Sequence, residues 1–396
     1  MNAAIGAAQH AGAPMDRRHF LTTGALATAS TLLPASASAA AAASGQENLF
    51  QSVNFYSDGL ALTPREYAVL LDQATRRAGF TPDNYSRGGA VEALEAKFAA
   101  RLGKEAAIFL PTGTLANHLA VRKLAGNDPR VLVQAESHLY NDTGDGAQAL
   151  SGLTLLPLAR GQASFTLDEA KAWAARTAGG RVESRIGVLS IESPVRRQQH
   201  RFFDFDELVS LCDWAREQGI RRHLDGARLF NLPQHTGRSV KEYAALFDTV
   251  YVSVWKHFNG ATGAMLAGDA SFIEGLYHTR RMFGGALPAA WPSIAFVDQY
   301  LDDYEADYAR AWQAADQIIA LLEASGRFKA RKLDNGTSTF LLKAEGITSM
   351  ALSERASKHG VLLPGYPDDV TEFPLLVNTS LLRKPADVVA GALLGS

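Results

Sequence analysis

Asp248-Thr-Val-Tyr-Val-Ser-Val-Trp-Lys-His-Phe-Asn-Gly-Ala-Thr-Gly-Ala-Met-Leu266 is the stretch that decides how the rest of the chain folds around it. Val250, Val252 and Val254 alternate with Tyr251 and Ser253, a spacing that predicts a short buried strand. Lys256 follows, then a loop with Gly260 and Gly263, then a second apolar run. A lysine at the end of a core strand is an unusual structural choice. Burial disfavours the ammonium form and lowers its pKa, which is what a Schiff-base lysine requires. Taken alone, Lys256 also fits a surface turn. A second segment decides between the two, His223-Leu-Asp-Gly-Ala-Arg228, where an acid and a base flank a glycine at the end of another apolar strand.

Working outward, 396 residues allow two domains and a large core. The chain is 47% hydrophobic and 20% charged, close to an ordinary soluble enzyme. A formal net charge of -2 argues against nucleic acid or an anionic membrane as partner. A single cysteine, Cys212, excludes an internal disulfide framework, and its place among Leu208 and Leu211 predicts a buried helical position. The ten histidines show no ligand spacing, so no metal is expected.

At the N-terminus, Asp16-Arg-Arg-His-Phe-Leu21 precedes a mild apolar run from Gly24 to Leu33 and then Pro34-Ala-Ser-Ala-Ser-Ala. A paired-arginine head, a weak apolar segment and small residues for cleavage predict a twin-arginine export signal over residues 1–45 and a periplasmic product with no membrane span after processing.

Further along, Gly103-Lys-Glu-Ala-Ala-Ile-Phe-Leu-Pro-Thr-Gly-Thr-Leu-Ala-Asn117 predicts a strand stopping at Pro111. Thr112-Gly113-Thr114 then opens a helix whose free N–H groups can hold a phosphate, although the tripeptide is also an ordinary N-cap. Short apolar strands alternate with helices from Ala107 to Leu224, the pattern of βαβ units and a mostly parallel sheet. Ligands of such sheets sit beyond the carboxyl ends of the strands, where Gly113, His138, Glu192, Asp225 and Lys256 all fall. An amine, an acid and a phosphate cradle point to pyridoxal phosphate. Arg196, Arg197, His200 and Arg201 are expected on a solvated turn that could also meet an anion. One long helical stretch, Trp291 to Ser325, leads towards strands at Ser338–Leu342, Val361–Leu363 and Leu375–Val377.

From Tyr56 to the C-terminus the chain resembles the pyridoxal-phosphate β-eliminating lyase and threonine aldolase family. The resemblance rests on the 103–117 segment, on His223-Leu-Asp-Gly-Ala-Arg-Leu-Phe-Asn231 and on the strand into Lys256. It implies an α/β fold, with a large, mostly parallel-sheet domain of the aspartate-aminotransferase kind over 46–295. A smaller C-terminal α/β domain over 296–396 and assembly as a homodimer or homotetramer are implied too. By the same resemblance Lys256 attaches the cofactor, Asp225 meets its pyridine nitrogen and His138 stacks on its ring and takes part in catalysis. Gly113 and Thr114 hold the phosphate, and Arg228 lies at the cofactor and, with Ser57, contacts the substrate carboxylate. The structural alternative for Arg228 is a buried ion pair with Asp225.

Departures fall on the substrate side. The family carries Asn-Thr-His-Asn-Gly after the glutamate, where this chain has Ser193-Pro194-Val195-Arg196, so the histidine near the substrate hydroxyl is missing in register. The second carboxylate arginine falls at Leu375 or Leu376, with Arg383 or Arg281 as replacements. Tyr85–Gly89 and Arg280–Arg281 are expected to reach a neighbouring subunit. The activity implied is cleavage at Cα–Cβ of a small amino-acid substrate, poor with threonine itself and better with a bulkier or aromatic β-substituted amino acid, in a pocket made apolar by Trp255, Leu375 and Leu376. A racemase or aminotransferase with the same cofactor, and an exported binding protein that has lost catalysis, are the alternatives. Retention of a reactive amine at Lys256 argues against the last.

Overall fold

The computed structural model describes residues 49–395, so the signal expected over residues 1–45 lies outside it. The first strand, β1 (Val53–Asn54), pairs in parallel with β11 (Val361–Leu362), tying the start of the described chain to its C-terminal part. Between them runs a seven-stranded sheet of β2 (Ala106–Leu110), β3 (Arg130–Gln134), β4 (Thr154–Leu158), β5 (Ile186–Glu192), β6 (Arg221–Asp225), β7 (Thr249–Ser253) and β8 (Ala264–Gly268). Its order is β2-β8-β7-β6-β5-β3-β4. Strands β3 to β7 are parallel, while β8 runs antiparallel to both β7 and β2. The mostly parallel sheet is therefore as expected. Every residue of β5, β7 and β8 is buried, because helices cover both faces of such a sheet.

Local chemistry starts the helices where the sequence places them. Thr63 and Glu66 form a reciprocal capping box ahead of Pro64–Thr75. The Thr112 hydroxyl accepts from Leu115 N at 3.2 Å and caps Gly113–Ala125. Cys212 is buried in Phe205–Glu217, and burial pushes its thiol up to about 12.

Two expectations change. The helical stretch from Trp291 is broken into Trp291–Ile294, Val297–Leu301 and Tyr304–Ala324. At the first break the Ala295 carbonyl accepts from Arg77 Nη2 at 2.7 Å, and Ser293 O accepts from Ala261 N at 3.0 Å, so side-chain and loop donors replace the helical ladder. In the C-terminal part, β10 (Thr339–Ala344) is flanked by β12 (Phe373–Leu376) and by β9 (Phe328–Lys332), both antiparallel. Strand β9 has no expected counterpart. Its Phe-Lys-Ala-Arg-Lys sequence is that of an exposed edge, charged as edges usually are, and carries little apolar alternation.

Among the described residues no helix is long and apolar enough to cross a membrane, and no group of residues could hold a metal ion.

Candidate active site

The carboxyl ends of β2, β5, β6 and β7 open onto one cleft. It is lined by Thr112, Gly113, Thr114, His138, Glu192, Arg196, Asp225, Ala227, Arg228, Tyr251, Trp255 and Lys256. Six of the seven site residues singled out from the sequence meet here, on segments as far apart as residues 113 and 256. The seventh, Ser57, is not among the lining residues. Its N–H donates to Asn54 Oδ1 at 3.0 Å and its Oγ accepts from Gly59 N at 3.4 Å, so it shapes a turn.

Lys256 leaves β7 on a turn closed by a long contact from its N–H to Ser253 Oγ, 3.4 Å. Burial, and then the Arg228 guanidinium, lower its ammonium to about 8, against the pull of Asp58, Asp225 and Glu192. The neutral, nucleophilic amine thus gains population as pH rises through about 8. The rate at which the cofactor-free protein takes up pyridoxal phosphate should therefore rise between pH 7 and 9 and then level. A rate that is flat across this range, followed by visible absorbance, would place the lysine in a different environment.

Asp225 ends β6, in register with Glu192 of β5. One oxygen accepts from Asn117 Nδ2 at 2.5 Å and the other from Ala227 N at 3.1 Å. Asn117 Oδ1 is in turn 2.9 Å from His223 Nε2, whose Nδ1 lies 2.8 Å from Thr249 Oγ1. Burial keeps His223 neutral by lowering it to about 4. This chain of partners fixes the carboxylate at the cleft floor.

Gly113 has a steric reason. A Cβ at this position would lie 1.9 Å from Tyr251 Oη, so only glycine lets the tyrosine reach the start of the helix. Burial, with Asp225 nearby, raises the Tyr251 hydroxyl well above its ordinary range, so it remains a donor. The first N–H groups of a helix have no intrahelical partner. With the Tyr251 hydroxyl and the positive end of a 13-residue helix, they make an anion cradle. Sequence reasoning took Tyr251 only as part of a strand pattern. Its one signal was a large polar-tipped residue facing the same way as Ser253.

Arg228 does not pair with Asp225. Its Nε and Nη2 grip Asp58 Oδ1 and Oδ2 at 2.6 and 2.8 Å. Burial opposes ionisation of Asp58, but Arg228 overcomes it and holds the carboxyl well below the usual range. The segment after Tyr56 reaches the site through Asp58, which the sequence did not single out.

Glu192 is buried, accepting from His138 N at 2.6 Å and from Arg196 N at 3.0 Å. Burial, and then Asp225, push it up. Arg196 and Arg197 are exposed, as expected of the basic turn, whereas His200 is not. Arg196 and Arg197 both pair with Asp142, at 2.6 and 2.7 Å, and Arg196 lines the cleft. His200 is buried against Thr339, its Nδ1 2.7 Å from the hydroxyl, and burial lowers it to about 3. Val195 is fully buried and is not among the residues lining the cleft.

Neither replacement arginine lines the cleft. Arg383 Nη1 donates to Ser52 O at 2.9 Å, and Arg281 sits 5.2 Å from the Tyr85 ring centroid. Arg280, expected to reach a neighbour, is instead buried, with Nη1 on Phe109 O at 2.7 Å and Nη2 on Ser86 O at 3.3 Å. Leu375 is packed inside the small sheet opposite Phe340, so of the apolar residues expected around the substrate only Trp255 lines the cleft.

An amine, a hydrogen-bonded carboxylate and an anion cradle converging on one cleft fit pyridoxal phosphate. A family model described as beta-eliminating lyase matches residues 68–339, more than half of the chain. The chain belongs to the β-eliminating lyase family. Among curated relatives of this lyase, a low-specificity L-threonine aldolase of Saccharomyces cerevisiae is 25% identical over 69% of the chain and 70% of its own length. An alanine racemase of Cochliobolus carbonum, TOXG, is 31% identical over 69% of the chain and 72% of its own length. Among solved structures, one from Listeria monocytogenes with a provisional L-allo-threonine aldolase assignment superposes with a TM-score of 0.71. It shares 28% identity and covers 87% of this chain and 96% of that one. The lyase is thus a pyridoxal-phosphate enzyme of the threonine aldolase kind, on the aspartate-aminotransferase-like fold.

Proposed function

We propose that this lyase cleaves the Cα–Cβ bond of a β-hydroxy amino acid bulkier than threonine, with Lys256 and Asp225 at the centre of the site. The observation that carries this is the convergence of Lys256, Asp225 and the Gly113 turn on a single cleft. When bound, pyridoxal phosphate supplies an electron sink for the negative charge left at Cα. Asp225, locked by Asn117 and Ala227, holds a proton on the pyridine nitrogen. The start of the Gly113–Ala125 helix and the Tyr251 hydroxyl hold the phosphate. Lys256 carries the covalent attachment and moves a proton at Cα. Arg228, with its Nε edge fixed by Asp58, would offer its remaining N–H groups to the substrate carboxylate, and His138, at the cleft wall, would face the cofactor ring.

Substrate choice follows from the walls. No histidine stands at Val195 to take the proton of a β-hydroxyl, and a positioned base contributes roughly 10²–10⁴-fold. Trp255, 45% exposed at the cleft, offers an aromatic face instead. A β-phenyl analogue should therefore turn over with a higher kcat/KM than threonine, and steady-state assays of the pair check this. Threonine as the better substrate would contradict it. The racemase relative favours a second activity, Cα inversion, which requires the same amine and acid. Export by the twin-arginine route rests on Arg17-Arg18, and assembly as a homodimer or homotetramer rests on the family. Cell fractionation and light scattering read these directly, a cytoplasmic location or an active monomer contradicting each.

A further inference from the structure

His138 and Arg196 are neighbours across the cleft wall, and a carboxylate stands between them. Asp142 follows His138 by four residues and closes the same helical turn, its N–H donating to His138 O at 2.9 Å. That spacing brings both side chains to one face. Asp142 Oδ2 lies 3.6 Å from His138 Nδ1, an electrostatic contact rather than a hydrogen bond. The other ring nitrogen, Nε2, is 3.1 Å from Thr114 Oγ1. Arg196 Nη2 donates to that same Asp142 Oδ2 at 2.6 Å, and Arg197 Nη2 donates to Oδ1 at 2.7 Å. Glu192 completes the frame, accepting from the backbone N–H groups of both His138 and Arg196.

Resting on the function proposed above, we propose that Asp142 is a positioning residue that fixes the His138 ring with Nδ1–H towards its own carboxylate and Nε2 towards Thr114. The two arginines make the charge at this place secure. Burial alone would raise the Asp142 carboxyl, yet Arg197 and Arg196 together hold it down to about 2. A carboxylate at the Nδ1 edge favours the proton there. Nε2 is then the acceptor for the Thr114 hydroxyl, and the helix N–H groups and Tyr251 remain for the phosphate. The turn that replaces the expected histidine segment thereby contributes through Arg196 to the orientation of His138. Glu192, Arg196, Arg197 and Asp142 are the charged groups that frame this ring.

The test is nitrogen-15 NMR of histidine-labelled holoenzyme, with the His138 signal identified by its loss in His138→Gln. Wild type should show Nδ1 protonated. Asp142→Asn should shift His138 towards a tautomer mixture and lower kcat roughly 10-fold, as loss of a partner that orients a histidine does elsewhere, with KM changed less. Asp142→Glu should restore both. The double variant Arg196→Gln with Arg197→Gln leaves the carboxylate in place and should move the signal the same way, which decides the matter if Asp142→Asn does not fold. A His138 signal unmoved in a folded Asp142→Asn or in the double variant, or a wild-type Nε2–H tautomer, would overturn the proposal. Failure of the functional reading would show separately, as wild type without cofactor absorbance or turnover.

Discussion

Lys256→Ala is expected to remove covalently held cofactor and to lower turnover by more than roughly 10⁴-fold, the upper range for a single positioned base, because attachment and proton transfer both reside in one amine. The fold should survive. Truncation keeps the backbone N–H that contacts Ser253 Oγ, and Nζ lies 5.3 Å from the exposed Trp255 ring centroid rather than at the core of the sheet. The cradle at Gly113 does not depend on the amine, so weak noncovalent binding should remain. Visible absorbance, thermal melting and turnover of the variant together check this. Full activity would mean that another lysine carries the cofactor.

The second large effect is expected at Asp225. On the proposed function, Asp225→Ala removes the charge that would keep the pyridine nitrogen protonated and should cost roughly 10²–10³ in kcat, the range for loss of one preorganised electrostatic group. It also leaves the Asn117 amide and the Ala227 N–H without partners in a buried place, at a cost of about 1–3 kcal/mol for an unsatisfied group. Asp225→Asn separates the two effects. It can still accept from Ala227 and should recover much of the stability, but not the rate. Urea unfolding and steady-state assays of both variants read this out, and an Asp225→Asn enzyme within tenfold of wild type would remove Asp225 from the mechanism.

The parts legible in the sequence were those whose physics is local. Alternation in Val250–Val254, the stop at Pro111 and the acid at the end of the Arg221–Asp225 strand each announce a strand end. Parallel strands then bring their ends to one edge of the sheet, so Gly113, His138, Asp225 and Lys256 could be grouped before their distances were known. Contacts between remote segments were not legible. Asp58 lies 170 residues from Arg228, and nothing in Tyr56-Ser-Asp-Gly59 tells which guanidinium it grips. Arg196 and Arg197 do form an exposed basic turn, but their pairing was not legible, because their partner, Asp142, sits after a different strand. Tyr251 was hidden for another reason. Strand periodicity tells which face a residue occupies, and Tyr251 does pack into a core there, but periodicity does not tell that its hydroxyl also reaches a helix N-terminus. The break at Ala295 depends on Arg77, which lies just past the Pro64–Thr75 helix and 218 residues earlier in the chain.

A lyase, a racemase and an aminotransferase share the amine, the acid and the phosphate cradle, so the residues around Cβ decide between them. On the proposed function those are Trp255, Arg196 and His138, which line the cleft, while Val195 is buried. The most direct measurement is product analysis after incubating the purified holoenzyme with β-phenylserine. Cleavage at Cα–Cβ predicts glycine and benzaldehyde in equal amounts, formed by wild type and not by Lys256→Ala. Recovery of the amino acid with its Cα inverted, or of a keto acid, with no aldehyde would contradict it.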